Sequence, residues 1–365
     1  MNLKNFWHNF LENKINLFIL KYLLFLKRLY YQVLSPFKYD IRTIINYYIL
    51  RRKIKPILQG RKFPEFLTVI PTNICNANCV FCVYRLLDHK KEIMQFETFK
   101  KVVDEFIVLG GKHLELSPTL GDVLINKTFF SLVRYAKKKG VYIRMFTNGI
   151  LLKKNENYKE VVNSGIDDIV ISTGDLIPKL EAEILGISQK LASQKIEGLL
   201  KLLEYKEKTK SNIKITIAFR AKRSFKDILA TIKNSKFKRF LDKRVFKVDY
   251  AFRYDNWCGR ILKKDLLGVM RLRRRPILRK YPCSSLWNIS VLANGDLRLC
   301  GCRVKETEHD ELVIGNVLTE SLSEIINNKL GQKILSDWMV GEIIETCEDC
   351  RRYGFPKYFK KFKRN

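Results

Sequence analysis

The stretch FLTVIPTNICNANCVFC, residues 66–82, decides how the rest of the chain reads. Phe66-Leu67-Thr68-Val69-Ile70 is rich in β-branched and aromatic side chains and stops at Pro71, which predicts a short strand. Cys75, Cys79 and Cys82 follow on one loop, at spacings of four and three. Thiolates so placed can each take one iron of a cubane and leave the fourth iron open, whereas passive electron carriers fill all four positions with cysteine. The open position implies a substrate or cofactor as its ligand. Zinc is the competing metal, but zinc sites use CxxC pairs or Cys/His sets separated by a longer finger.

Outward from this loop, strand and helix patterns alternate. Lys112 to Leu116, Val141 to Phe146, Asp168 to Ser172, Ile213 to Phe219 and Val245 to Phe252 read as strands. Phe96 to Leu109, Phe129 to Lys139 and residues 190–208 read as helices, the first closed by Gly110-Gly111 and the second by Gly140. Such alternation predicts an α/β fold on a parallel sheet, open or closed into a barrel. After Pro282 the pattern changes to short strands, Trp287 to Leu292 and Leu297 to Leu299, around an Asn294-Gly295-Asp296 turn. A helix around Leu322 to Trp338 and the pair Cys347, Cys350 complete a smaller domain over 282–355. Residues 356–365 form a basic tail.

Composition narrows the class. With 46% hydrophobic and 12% aromatic residues, extensive disorder is excluded. Lys and Arg number 69 against 37 Asp and Glu, a net charge of +32 that attracts membrane surfaces, nucleic acid or phosphorylated substrates. A lysine- and isoleucine-rich composition yields the same charge with no partner at all. The nine cysteines are clustered rather than spread as in a secreted disulfide scaffold, which points to metal binding in a reducing, cytoplasmic compartment. Residues 1–60 carry 11 Lys/Arg and two acids among interleaved apolar residues, and read as a basic amphipathic helical extension. Lys21, Lys27 and Arg28 make Ile15–Leu34 too charged for a transmembrane span. The extension either meets an anionic membrane surface or packs on the main domain through Leu17, Leu20 and Leu24.

The CxxxCxxC loop, with Phe81 just before its last cysteine, resembles the signature of the radical S-adenosylmethionine (SAM) superfamily. The resemblance implies a partial (β/α)6 TIM-like barrel over 61–281, with the loop after its first strand. It also implies a 4Fe-4S cluster on Cys75, Cys79 and Cys82, SAM chelated to the open iron, and cleavage to methionine and a 5′-deoxyadenosyl radical. A flavodoxin- or ferredoxin-like protein would supply the electron. Leu120-Gly121-Asp122-Val123-Leu124 resembles the family's GEPLL segment, Asp replacing Glu and Val replacing Pro, so Gly121 and Asp122 are expected at the SAM amino group. Thr147-Asn148-Gly149 resembles the TNG after the third strand, and Ser172 a residue near the SAM ribose or carboxylate. These positions at strand C-termini are where α/β folds bind ligands.

Cys283, Gly295 with Cys300 beyond it, and Cys347-x-x-Cys350 resemble a C-terminal SPASM/twitch domain, implying one auxiliary 4Fe-4S cluster. Cys302 could stand in for Cys300, and a structural zinc is the competing reading. Asp255, Cys258 and Arg260, in DNWCGR at the exit of the sixth strand, are expected near the barrel mouth as catalytic or substrate-contacting residues. The expectation is an enzyme that oxidises or otherwise modifies a small-molecule or carbohydrate-like substrate. A peptide-modifying maturase is the alternative, although residues 1–60 do not resemble the peptide-recognition domain that usually precedes such barrels. A non-enzymatic zinc- and nucleic-acid-binding protein, suggested by the net charge and the CxxC pair, is the alternative of a different class, although no zinc-finger or recognition-helix pattern accompanies them.

Overall fold

The computed structural model describes residues 66–87, 89–275, 279, 283–300 and 310–353. The expectations for residues 1–60, for Cys302 and for the 356–365 tail lie outside these residues. The chain divides into two units, 1–60 with 276–279 and 61–275 with 280–365, and the second holds the main sheet and both cysteine sets.

At the centre of that unit is a parallel sheet built by alternation of strand and helix. In chain order these elements are β1 (Phe66–Val69), α1 (Phe96–Val108), β2 (His113–Leu116), α2 (Phe129–Lys138), β3 (Tyr142–Thr147), α3 (Asn157–Asn163) and β4 (Asp168–Thr173). Then come α4 (Pro178–Leu185), α5 (Gln189–Thr209), β5 (Lys214–Phe219), α6 (Phe225–Lys233), α7 (Lys238–Asp242) and β6 (Lys247–Tyr250). Strands β1 to β6 pair in sequence order, each parallel to the last. The helices pack by amphipathic spacing. In α1 the buried residues are Phe99, Val102, Val103 and Phe106, an i, i+3, i+4, i+7 stripe. On β3 burial alternates along the strand, while Ile169, Val170 and Ile171 of β4 are buried in succession, as a strand covered on both faces requires.

Beyond β6 the chain leaves the sheet. β7 (Arg253–Tyr254) and β8 (Arg271–Leu272) form a separate parallel pair. The C-terminal part then returns to the main sheet with β9 (Ser290–Val291), β10 (Asp296–Arg298) and β11 (Val313–Asn316). β9 runs parallel to β1, matching Thr68 with Ser290 and Val69 with Val291, so the described sheet has the order β11-β10-β9-β1-β2-β3-β4-β5-β6. α8 (Leu322–Ile326), α9 (Lys329–Val340) and α10 (Glu345–Glu348) follow. Lys101 and Glu105 of α1 fasten this part down: Lys101 Nζ donates to Val317 and Glu320 carbonyls, and Glu105 accepts from Leu322 N.

Several local readings change. The helix expected from Leu322 to Trp338 is two helices, broken where Asn328 caps the second by accepting from Gly331 N. Trp287 ends a 3-10 turn, Ser284–Trp287, rather than opening a strand. Helix α4 is an addition to the elements expected from the sequence. Its signals are nonetheless present, a proline in the first turn and Gly186 in the left-handed conformation at its end. The capping box of Ser224 and Asp227 that starts α6 is equally readable.

Candidate functional site

The cysteine loop leaves β1 at the C-terminal edge of the sheet, and three neighbouring segments fix its path. From the β2 side, Asp122 N donates to Ile74 O at 2.8 Å. Here Gly121, at φ +72°, is required by space: a Cβ would come within 2.0 Å of Thr72 O. On another side, the C-terminal end of α4 accepts two loop amides, Asn78 N on Leu185 O at 2.9 Å and Val80 N on Ile184 O at 3.1 Å. Helix ends leave such carbonyls unfilled, so α4 and the loop satisfy one another. Within the loop, Tyr84 OH accepts from Cys75 N at 3.1 Å and Tyr84 N donates to Cys82 Sγ at 3.4 Å.

The thiols sit in an apolar bed of Ala77, Phe81, Leu120, Ile150, Ile184 and Ile261. Burial pushes all three up, Cys75 to about 11, with Cys82 adding its negative charge to Cys75 and both adding theirs to Cys79. A thiolate there is favourable only against a strong local cation such as cluster iron. Amide donors are already aimed at sulfur, since Asn148 Nδ2 lies 3.7 Å from Cys75 Sγ and donates to Asn76 Oδ1 at 2.7 Å. Among the described residues no three His, Cys, Asp or Glu converge to hold a single metal ion. A cubane asks instead for thiolates spaced on its corners, and the loop's chemistry fits that group.

The remaining predicted residues fall around this loop in different roles. Asp122 is 1% exposed, and its carboxylate accepts from Thr147 Oγ1 at 2.8 Å, Asn148 N at 2.7 Å and Leu124 N at 3.1 Å. It therefore ties the LGDVL segment to Thr147-Asn148-Gly149, and burial raises its pKa against the pull of those donors. Ser172 lies near the end of β4 and accepts from Arg220 Nη1 at 3.0 Å. Arg220, one residue past β5, also lies over the Phe81 ring at 5.8 Å and pulls the Cys82 pKa down against its burial. Sequence reasoning misses it, since a lone cation after a strand carries no periodic signal. Close by, Lys195 and Glu181 form an ion pair at 0% side-chain exposure. Glu181 also accepts Gly174 N and Asp175 N, and Lys195 donates to Ser172 O, which locks α4 to the end of β4.

Asp255, Cys258 and Arg260 are the residues expected at the barrel mouth. Asp255 is buried and accepts from Trp257 N at 3.3 Å. Tyr254 meets Phe81 edge-on at 5.7 Å, so this segment does reach the cysteine loop. Trp257, Cys258 and Gly259 are all left-handed, at φ 46°, 56° and 91°, a conformation costing about 1–2 kcal/mol for each non-glycine residue. That turn lies against the Cys347–Cys350 segment, with Asn256 Nδ2 donating to Asp349 O.

The second thiol set is buried: Cys283, Cys300, Cys347 and Cys350. Cys347 is pushed up by burial and by the charges of Cys300, Cys350, Cys258 and Cys283. Ser285 N donates to Cys283 Sγ at 3.5 Å and Arg352 N to Cys350 Sγ at 3.4 Å. Arg298, 1% exposed, pairs with Asp310 and donates to Cys300 O. Four buried thiols, two of them with backbone amides donating to sulfur, fit a fully ligated cubane.

Comparison with known proteins gives the same picture. The family model of the Radical SAM superfamily matches residues 69–213, and that of an iron–sulfur cluster-binding domain, SPASM, matches 283–351. A tungsten-containing aldehyde ferredoxin oxidoreductase cofactor-modifying protein of Pyrococcus furiosus is 26% identical over 143 residues, 39% of this chain and 39% of its own. A probable GTP 3′,8-cyclase of Sulfurisphaera tokodaii is 29% identical over 137 residues, 37% of this chain and 42% of its own. The chain thus spans about two fifths of the length of these curated relatives. Among solved structures, SuiB of Streptococcus suis bound to precursor peptide SuiA superposes with TM-score 0.57 at 15% identity, over 82% of this chain and 73% of that one. BtrN in complex with AdoMet and 2-DOIA gives 0.50 at 14%, over 82% and 97%. At these identities the likeness is one of fold.

Proposed function

The chain belongs to the radical SAM superfamily and carries an iron–sulfur cluster-binding SPASM domain, and we propose that it cleaves SAM reductively to modify a small-molecule or carbohydrate-like substrate. The observation that carries this is the three-thiol loop, held at the C-terminal edge of a parallel sheet by α4, Asp122 and Tyr84. A cluster bound there together with SAM, once reduced by the electron donor, would supply a 5′-deoxyadenosyl radical able to abstract a hydrogen atom from the substrate. The protein's part is to hold and orient. Cys75, Cys79 and Cys82 would hold the cluster and leave one iron for SAM. Ser172 and Arg220, already hydrogen-bonded to each other, offer a hydroxyl and a cation to the SAM carboxylate. Backbone at Gly121 and the Thr147-Asn148 turn line the amino-group side, with Asp122 setting their positions rather than spending its own buried carboxylate on the ligand.

Cys283, Cys300, Cys347 and Cys350 would hold the auxiliary cluster, and a cluster ligated by protein at every iron would supply an electron acceptor that needs no bond to the substrate, which suits net oxidation. The partners we assign are the substrate, a flavodoxin- or ferredoxin-like donor and, through residues 1–60, an anionic membrane surface, in a cytoplasmic setting. Among the described residues no helix is long and apolar enough to cross a membrane. Complexes of similarly folded chains with AdoMet and 2-DOIA or with a precursor peptide name the two substrate classes to assay.

The test is anaerobic reconstitution followed by a SAM cleavage assay. Wild-type protein should form 5′-deoxyadenosine under reduction. The Cys75→Ala/Cys79→Ala/Cys82→Ala variant should form none while keeping the auxiliary cluster. Deoxyadenosine from that variant would sink the assignment.

A further inference from the structure

The turn that carries Cys258 is bolted to the auxiliary site on both sides of Cys350. Asn256 Nδ2 donates to Asp349 O at 2.7 Å, and Asn256 Oδ1 accepts from Arg351 N at 3.1 Å. At the other end of the turn, a Cβ on Gly259 would lie 3.8 Å from the Asp349 side chain. Cys258 falls between these two anchors. It is only partly buried, as are the three loop thiols, and it lies near enough to Cys347 for the two thiols to interact, as Cys283, Cys300 and Cys350 also do.

A cubane has four corners, and five thiols of the described chain gather here. We propose that Cys258 is a fifth thiol of the auxiliary centre, competent to hold a cluster corner, so that the centre draws its four ligands from five. Cys300, Cys347 and Cys350 hold three corners, and Cys258 and Cys283 compete for the last. Whichever binds gives up its proton to do so, and the other waits beside it. The SPASM match begins at residue 283, so Cys258 is a ligand contributed from outside it. This proposal rests on the iron–sulfur reading above and deepens it.

Iron counting and electron paramagnetic resonance on the full chain, reconstituted anaerobically, test it. Wild type should hold about eight irons, and Cys283→Ala should still hold about eight, with an altered auxiliary spectrum. Cys258→Ala/Cys283→Ala leaves three thiols, so its auxiliary spectrum should change again, to that of a centre with one iron open to exchangeable ligands, while the first-loop signal shows that the chain remains folded. A fall to about four in Cys283→Ala alone would overturn the proposal, as would identical auxiliary spectra in Cys283→Ala and in the double variant. Wild type without iron would instead sink the iron–sulfur reading itself. A second measurement needs no variant. After iron is stripped and the protein is mildly oxidised, peptide mass spectrometry should find Cys258 in disulfides with Cys283, Cys300, Cys347 or Cys350. Recovery of Cys258 solely as an unlinked thiol would count against it.

Discussion

Cys75, Cys79 and Cys82 fall within one loop of eight residues, whereas the thiols gathered around Cys347 come from positions as far apart as 258 and 350. The first site gets its ligand spacing, and a brace at Tyr84, from the local chain and borrows only the support of α4 and Asp122 from elsewhere. The second has no local template, and its thiols reach it on several separate segments. A local site should therefore fail when its platform fails. A dispersed one should fail when any long-range tie is cut.

The sharpest way to break this comparison is at Lys195. Lys195→Met leaves Glu181 buried without its partner, an uncompensated charge that costs about 3–5 kcal/mol. Because Glu181 belongs to α4, whose Ile184 and Leu185 carbonyls carry the loop, iron should leave the first site before the second. Urea melts with iron counting at each step would show it, and earlier loss of the auxiliary cluster would undo the contrast.

A smaller effect should come from Arg298→Met, which removes the tie from β10 to Asp310 and to the Cys300 carbonyl. Loss of charged hydrogen bonds from a buried position should cost about 1–3 kcal/mol. Here the auxiliary spectrum should change and the yield of deoxyadenosine should not. Equal damage to both sites would mean that they share more scaffold than their ligand positions suggest.

The mildest test uses pH. Burial raises the Asp122 carboxyl above its ordinary value, so the folded chain holds a proton there that the unfolded chain releases. Stability from this group is full below about pH 3.9, the unfolded value, and is lost as pH rises through the raised one. Asp122→Asn cannot ionise and should flatten that decline, while its lost acceptor lowers stability at every pH. Melting temperatures of both proteins across the acid range give the slopes, and an unchanged slope would show that the group does not titrate there.

Legibility in the sequence divides along the same line. The strand, the cysteine spacing and the βα alternation are short-range signals, and each lies where its pattern places it. The capped helix α4 is readable too, from its proline and its left-handed Gly186, yet an eight-residue helix offers little periodicity to notice. Cys258 is a different matter. Its neighbourhood depends on a hydrogen bond between residues 256 and 349, and no local pattern reports a tie across such a separation. Asp122 stands at the motif position, but the three donors that tie its carboxylate to the Thr147-Asn148 turn become visible only in the fold.

The pairing of β9 with β1 has a consequence for synthesis on the ribosome. On one side β1 meets β2, which comes next in the chain, but on the other side it waits for Ser290 and Val291. At about 5–20 residues per second, translation needs roughly 10–45 s to bring that partner out. Throughout this interval β1 is an open edge, able to pair with the wrong strand of the same or another nascent chain. Truncation before residue 290 would make the exposure permanent, so shortened versions lacking the C-terminal part should aggregate rather than persist as a folded barrel.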